Sequence, residues 1–226
     1  MFKKKYRIMT EASGSLTSGY LINSIQAAGQ ECIASDINEK CVGRQLANDF
    51  ILMPSSQSEN LWDYIDYTLM EKSIDVVIPS LDESLLGWSQ RKGHYASKGV
   101  SVILSDAETI KICQDKWLTY QFFTEYGIPV PATSLKQKYP LVKPRCGRGG
   151  AGVQITHKNM DMHDMLSQEL LSGIEYTIDV FCNIESQPVY IVPRRRLNVR
   201  DGKSTAGIVE KHRGIEQWVR KICDHL

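Results

Sequence analysis

The densest chemistry in the sequence lies at Lys143-Pro144-Arg145-Cys146-Gly147-Arg148-Gly149-Gly150-Ala151-Gly152-Val153, where four glycines fall within six residues. Strand signals flank the segment at 140–143 and 153–156, so it reads as a hairpin with a glycine-rich tip. Such a tip lets backbone N–H groups close on a polyphosphate, because no side chains hold the chain away. Lys143 and Arg148 add positive charge for the oxygens of a triphosphate. The segment lacks the Gly-Lys-Ser/Thr ending of a P-loop and the helix that follows one. A plain turn is the simpler explanation for glycine. But a turn of ordinary length does not need four, each of which costs ordering entropy, and phosphate binding accounts for the pattern better.

Two other segments bear on nucleotide chemistry. The turn at 10–19 has two glycines, Gly14 and Gly19, where a dinucleotide fingerprint needs three close together, and Glu11 stands where a glycine is expected. A carboxylate there repels pyrophosphate. The turn therefore reads as scaffold, even though Asp36 occupies the place of a ribose-reading acid. Further on, Glu169 could accept from an adenine amino group and Glu175 could hold ribose hydroxyls. Taken singly, each reads more readily as a solvated acid beside a strand.

The elements that must position these groups follow from hydrophobic periodicity. Short apolar runs at 6–10, 31–35, 50–53, 75–78 and 100–104 read as strands. Leu21, Ile22, Ile25 and Ala28 mark one helical face, and Leu61, Tyr64, Ile65, Thr68 and Leu69 another. Strands alternating with helices of this length mean βαβ units and a parallel, Rossmann-like sheet. At Ser105 the organisation changes: Ser105 with Glu108 forms a capping box. A helix then runs over 115–126, stopped by Gly127, and Ile128-Pro129-Val130-Pro131 is extended. Beyond Pro140 the signals are strands, with half-buried alternation over 175–183. The last helix, from Gly214, presents Ile215, Trp218, Val219 and Ile222 on one face and reaches the chain end without a cap.

Composition bounds the function class. With 27 Lys plus Arg against 26 Asp plus Glu, the net charge of +1 excludes the strongly basic profile of a nucleic-acid binder. An apolar fraction of 42% supports a packed core rather than a disordered chain. No apolar run approaches the roughly 18 residues of a membrane span, and Lys3-Lys4-Lys5 lacks the hydrophobic stretch of a secretory signal. The expectation is a soluble, cytoplasmic protein. Six scattered cysteines read as reduced, mostly buried thiols.

In chain order, the segments are Asp115-Lys116 before the helix ending in Gly127-Ile128-Pro129-Val130-Pro131, then Pro140-Leu141-Val142-Lys143-Pro144, and then the glycine-rich hairpin. Gln168-Glu169-Leu170-Leu171-Ser172-Gly173-Ile174-Glu175-Tyr176-Thr177-Ile178-Asp179-Val180 completes the series. This order resembles the ATP-grasp superfamily, in the branch similar to the carbamoyl-phosphate synthase large chain. The resemblance implies an α/β chain with a Rossmann-like parallel-sheet domain over 1–105 and an ATP-grasp α+β domain over 106–226. Within the latter, a linker helix and lid extend to about 167, and the start of a large subdomain begins at 168.

The family's roles carry over residue by residue. Lys116 and Lys143 match the lysines that contact ATP phosphates, and Gly147, Arg148, Gly149, Gly150 and Gly152 match the loop folding over them. Glu169, Leu170 and Leu171 match the adenine-contacting hinge, and Glu175 the ribose-contacting acid. The stretch 193–204 matches a basic strand near the γ-phosphate and acceptor carboxylate, with Arg194, Arg196 and Arg200 as catalytic candidates. Three consecutive arginines on a strand put at least one on the opposite face, and the spacing leaves open which points inward.

The implied chemistry is phosphoryl transfer from ATP to a carboxylate or bicarbonate-like acid, then attack by an amine on the acyl phosphate. Positioning and charge neutralisation, with Mg2+, supply the catalysis. The implied partners are ATP, a carboxylate and an amine acceptor, without nucleic acid or membrane. A homodimer or a partner subunit is compatible with the resemblance. The family also carries metal-binding carboxylates ending in Glu-x-Asn, and this sequence has no such pair. The leading expectation is therefore a C–N ligase truncated before its metal-binding end, with Mg2+ ligands beyond residue 226. The competing expectation is a non-catalytic nucleotide-binding or scaffold module working with a partner chain.

Overall fold

The computed structural model describes residues 4–200 and 203–226. Lys3, Asp201 and Gly202 lie outside the described residues, as do the side chains of Val199, Arg200 and Lys203. The chain divides into two compact units, Met1–Ile110 and Lys111–Leu226.

The first unit alternates β1 (Arg7–Thr10), α1 (Ser18–Ala27), β2 (Glu31–Asp36), α2 (Val42–Leu46), β3 (Asp49–Leu52), α3 (Leu61–Glu71) and β4 (Val76–Ile78). It continues through α4 (Asp82–Gln90), α5 (Lys92–Ser97) and β5 (Ser101–Val102), and α6 (Ala107–Gln114) crosses its limit. All strand pairs are parallel, in the order β3-β2-β1-β4-β5. The doubly wound sheet expected from the alternation is present.

Register explains why both faces are covered. Met9 lies opposite Ile33, and this face joins Ile65, Leu69, Val77, Trp88 and Tyr95 in one buried cluster. Cys32 and Ala34 point the other way and pack with Ile22 and Ile25 of α1. Strands buried on both faces read as continuous apolar runs, which is what β2 shows.

The second unit opens with α7 (Lys116–Glu125), followed by β6 (Thr133–Ser134), β7 (Leu141–Pro144), β8 (Gln154–Ile155) and β9 (Met165–Gln168). These strands form an antiparallel sheet in the order β6-β9-β7-β8. A second antiparallel sheet, β10 (Tyr176–Cys182), β11 (Pro188–Arg200) and β12 (Lys203–Val209), precedes α8 (Arg213–Cys223).

The structure corrects several expectations. The helix α6 starts at Ala107 rather than from a cap at Ser105, and the Asp106 carboxylate instead takes Lys92 Nζ at 2.7 Å. The last helix does not run to the chain end: Asp224 caps α8, its N–H bonding to Arg220 O at 3.0 Å. Val219 is buried as expected, but Trp218 is 46% exposed. Of the cysteines only Cys32 and Cys41 are buried; Cys113 and Cys146 are exposed, and Cys182 and Cys223 are half-buried.

Candidate functional site

Asp115 fixes the start of α7. Its Oδ1 accepts from the N–H groups of Trp117 (2.8 Å) and Leu118 (3.4 Å), which are orphan donors of a helix N-terminus. Lys116 follows at once, and its Nζ donates to Arg145 O (3.2 Å) and Gly147 O (3.0 Å). Strand β7 carries Lys143 beside β9, where its Nζ donates to Gln168 Oε1 at 2.8 Å. Gln168 Nε2 is tied in turn to Thr133 Oγ1 at 2.9 Å.

The two lysines feel each other. Burial, and secondly the charge of Lys116, hold the Lys143 ammonium below the usual lysine range. The hairpin tip between them is exposed and built on four positive φ angles, at Gly147 (115°), Gly149 (64°), Gly150 (74°) and Gly152 (73°). A Cβ at Gly152 would also lie 2.8 Å from Pro144 Cγ, so this position has neither the space nor the backbone for a side chain. Two turns organise the tip, Ala151 N–H to Arg148 O and Val153 N–H to Gly150 O.

Past β9, the chain pairs with Ala132 in both directions. Glu169 N–H donates to Ala132 O (2.9 Å), and Glu169 Oε1 accepts from Ala132 N–H (2.8 Å). The Glu169 carboxylate thus braces the segment, while Leu170 and Leu171 stand 56% and 65% exposed. Glu175 is ion-paired with Arg196, whose N–H donates to Glu175 O at 2.8 Å.

Register sorts the arginines with described side chains by face. Thr177 faces Arg194 and Tyr176 faces Arg195 across β10–β11, so Arg194 and Arg196 share one face and Arg195 the other. Arg194 pairs with Asp179 at 2.5 and 3.1 Å. Arg195 Nε lies 3.6 Å from Glu210 Oε2, and Tyr176 donates its hydroxyl to the same acid at 2.5 Å. The side chain of Arg200 lies outside the described residues.

In the first unit, Asp36 is engaged locally, accepting from Gly14 N–H at 2.7 Å and Asn38 N–H at 2.8 Å. Glu11 is only 6% exposed and points inward. It accepts from Trp88 Nε1 (2.8 Å), Ser84 Oγ (2.9 Å) and Ser80 N–H (3.3 Å). Burial raises its carboxyl above the ordinary range, although these donors oppose the rise.

Sequence reasoning missed Arg145 and the bracing role of Gln168. Arg145 lies one residue past the end of β7, so strand alternation does not place it, and its partner Asp115 is 30 residues away in the chain.

The unit Lys111–Leu226 thus holds a lysine at the start of a helix, a second lysine on a strand and a glycine-rich hairpin tip. The model of the ATP-grasp domain matches residues 113–226, and the chain belongs to that family. The carbamoyl-phosphate synthase of Methanobrevibacter smithii is 22% identical over 177 residues, covering 69% of this chain and 47% of the relative. The 3-methyl-D-ornithine–L-lysine ligase of Methanosarcina barkeri is 24% identical over 158 residues, covering 68% of this chain and 41% of the relative. The chain thus spans less than half of either relative's length. The crystal structure of N5-carboxyaminoimidazole synthetase from Staphylococcus aureus complexed with ADP superposes with a TM-score of 0.73 at 16% identity. That match covers 100% of this chain and 65% of the solved one, and it shows the same fold.

No helix among the described residues is long and apolar enough to cross a membrane.

Proposed function

We propose that this chain binds ATP and belongs to an ATP-dependent ligase that activates a carboxylate as an acyl phosphate for attack by an amine. The observation that carries the reading is geometric: Lys116 Nζ is tied to Gly147 O at the root of the glycine tip, and Lys143 stands on the strand that leads into that tip. Keeping like charges together costs free energy, and a polyphosphate between them would relieve that cost. The glycine tip supplies backbone donors free of Cβ atoms for the same phosphates. The segment 169–171 would meet the adenine edge and Glu175 the ribose.

In the reaction, a carboxylate oxygen attacks the γ-phosphorus and ADP leaves. The amine then attacks the acyl carbon and phosphate leaves. Arg194, Arg196 and Arg200 are the candidates for steadying the negative charge. The names of the relatives, among them a ligase of two amino acids, support the carboxylate–amine class. Among the described residues no group of three His, Cys, Asp or Glu could hold a metal ion, so no step is assigned to Mg2+ here.

Titration with a non-hydrolysable ATP analogue tests the reading. Lys143→Ala is expected to weaken binding at least tenfold, the loss of about one charge-assisted hydrogen bond. Unchanged affinity would overturn the site. With ATP itself in place of the analogue, binding without ADP release when carboxylate and amine are supplied would favour the scaffold reading over the ligase.

A further inference from the structure

Arg145 stands where the strand β7 passes into the glycine tip, and three elements meet on it. Its N–H donates to Asp164 O at 2.9 Å. Its carbonyl accepts from Lys116 N–H (2.9 Å) and from Lys116 Nζ (3.2 Å). Its guanidinium forks onto the Asp115 carboxylate, Nη2 to Oδ2 and Nε to Oδ1, the latter at 3.3 Å. The same carboxylate caps α7. Burial alone would raise the Asp115 carboxyl; the Arg145 guanidinium and the Trp117 N–H outweigh it and hold it below the usual range.

We propose that the Arg145–Asp115 pair is a positioning clamp that sets Lys116 and the root of the glycine loop for a triphosphate. The inference rests on the ATP reading above and adds a residue that acts through others. Arg145 does not reach for phosphate itself, because its fork is already spent on a carboxylate. Lys116 is the group it aims. An ammonium has three donors, and Lys116 uses two on Arg145 O and Gly147 O. The third can turn to a phosphate oxygen while the loop stays tied. Without the fork, α7 and the loop lose their shared anchor, and the lysine loses its registration with the backbone donors.

The test compares ATP with adenosine on the whole chain, by calorimetry and ligand-observed NMR. Arg145→Met is expected to weaken ATP about tenfold and leave adenosine within about twofold, since segment 169–171 is anchored to Ala132 instead. Arg145→Lys keeps the charge but cannot fork, and should show the same loss. Asp115→Asn keeps a cap acceptor, loses the ion pair, and should match it. The double variant Asp115→Asn/Arg145→Met should be no worse than either single change, as for groups acting as one unit. Equal losses for ATP and adenosine, full rescue by Arg145→Lys, or additive losses would each overturn the clamp. If the unaltered chain binds no ATP, the nucleotide reading falls and the clamp with it. ATP binding abolished by Lys143→Ala but untouched by Arg145→Met overturns the clamp alone.

Discussion

Lys143 illustrates a conflict between stability and binding at a single residue. Its folded pKa lies below the ordinary lysine value of 10.5, because burial and secondly Lys116 disfavour the ammonium. At neutral pH the charged form is therefore a cost to the fold. As pH rises toward 10.5 the unfolded chain holds the extra proton, so stability contributed at this site rises. Lys143→Met should melt no lower than the parent at pH 7. Its advantage should shrink as pH approaches 10, read by thermal melts across that range. Glu11 gives the opposite sign. A carboxyl raised above 4.5 makes the fold lose stability as pH climbs through its folded pKa. Trp88→Phe removes one donor to the anion, raises that pKa further and widens the window. Its cost should be about 1–3 kcal/mol near pH 7 and smaller near pH 4.5. A pH-independent cost would mean that the indole acts only by filling space.

At the scale of elements, close approach decides what a sequence pattern cannot. Gly87 sits inside α4, where glycine costs helix stability by about 1 kcal/mol relative to alanine. Yet an added Cβ would lie 2.1 Å from the Trp62 ring. That ring is edge-on to Trp88 and lies under the Arg91 guanidinium at 4.0 Å, so it has little room to withdraw. Overpacking of this kind costs about 1–3 kcal/mol, which outweighs the gain in propensity. Gly87→Ala is expected to lower the urea midpoint, and a rise would show that Trp62 repacks freely. The glycine also explains why α4 was not legible: it interrupts an amphipathic pattern for a packing reason that only the tertiary contact reveals. The strand pair β7–β8, by contrast, was legible because its glycine tip and flanking apolar runs are local.

For the whole molecule, the first unit is built on one sheet and the second on two. A chain of this kind need not unfold in one step. Calorimetry is expected to resolve two transitions. An ATP analogue at about a hundred times its Kd should add about 2.7 kcal/mol to the unit that binds it. Only the transition of the unit spanning Lys111–Leu226 should move, by several degrees. A shift of both transitions together would place nucleotide contacts in the first unit as well.

The five parallel strands, the glycine-rich hairpin and the resemblance to ATP-grasp proteins were legible in the sequence alone, because periodicity, glycine clustering and motif order are local properties of a chain. Tertiary structure decided the rest. Register set Arg194 and Arg196 on one face and gave each a carboxylate partner. Folding turned Glu11 inward onto Trp88 and brought Arg145 onto Asp115 from 30 residues away. Partners of this kind depend on distance in space, which the spacing of residues along the chain does not encode.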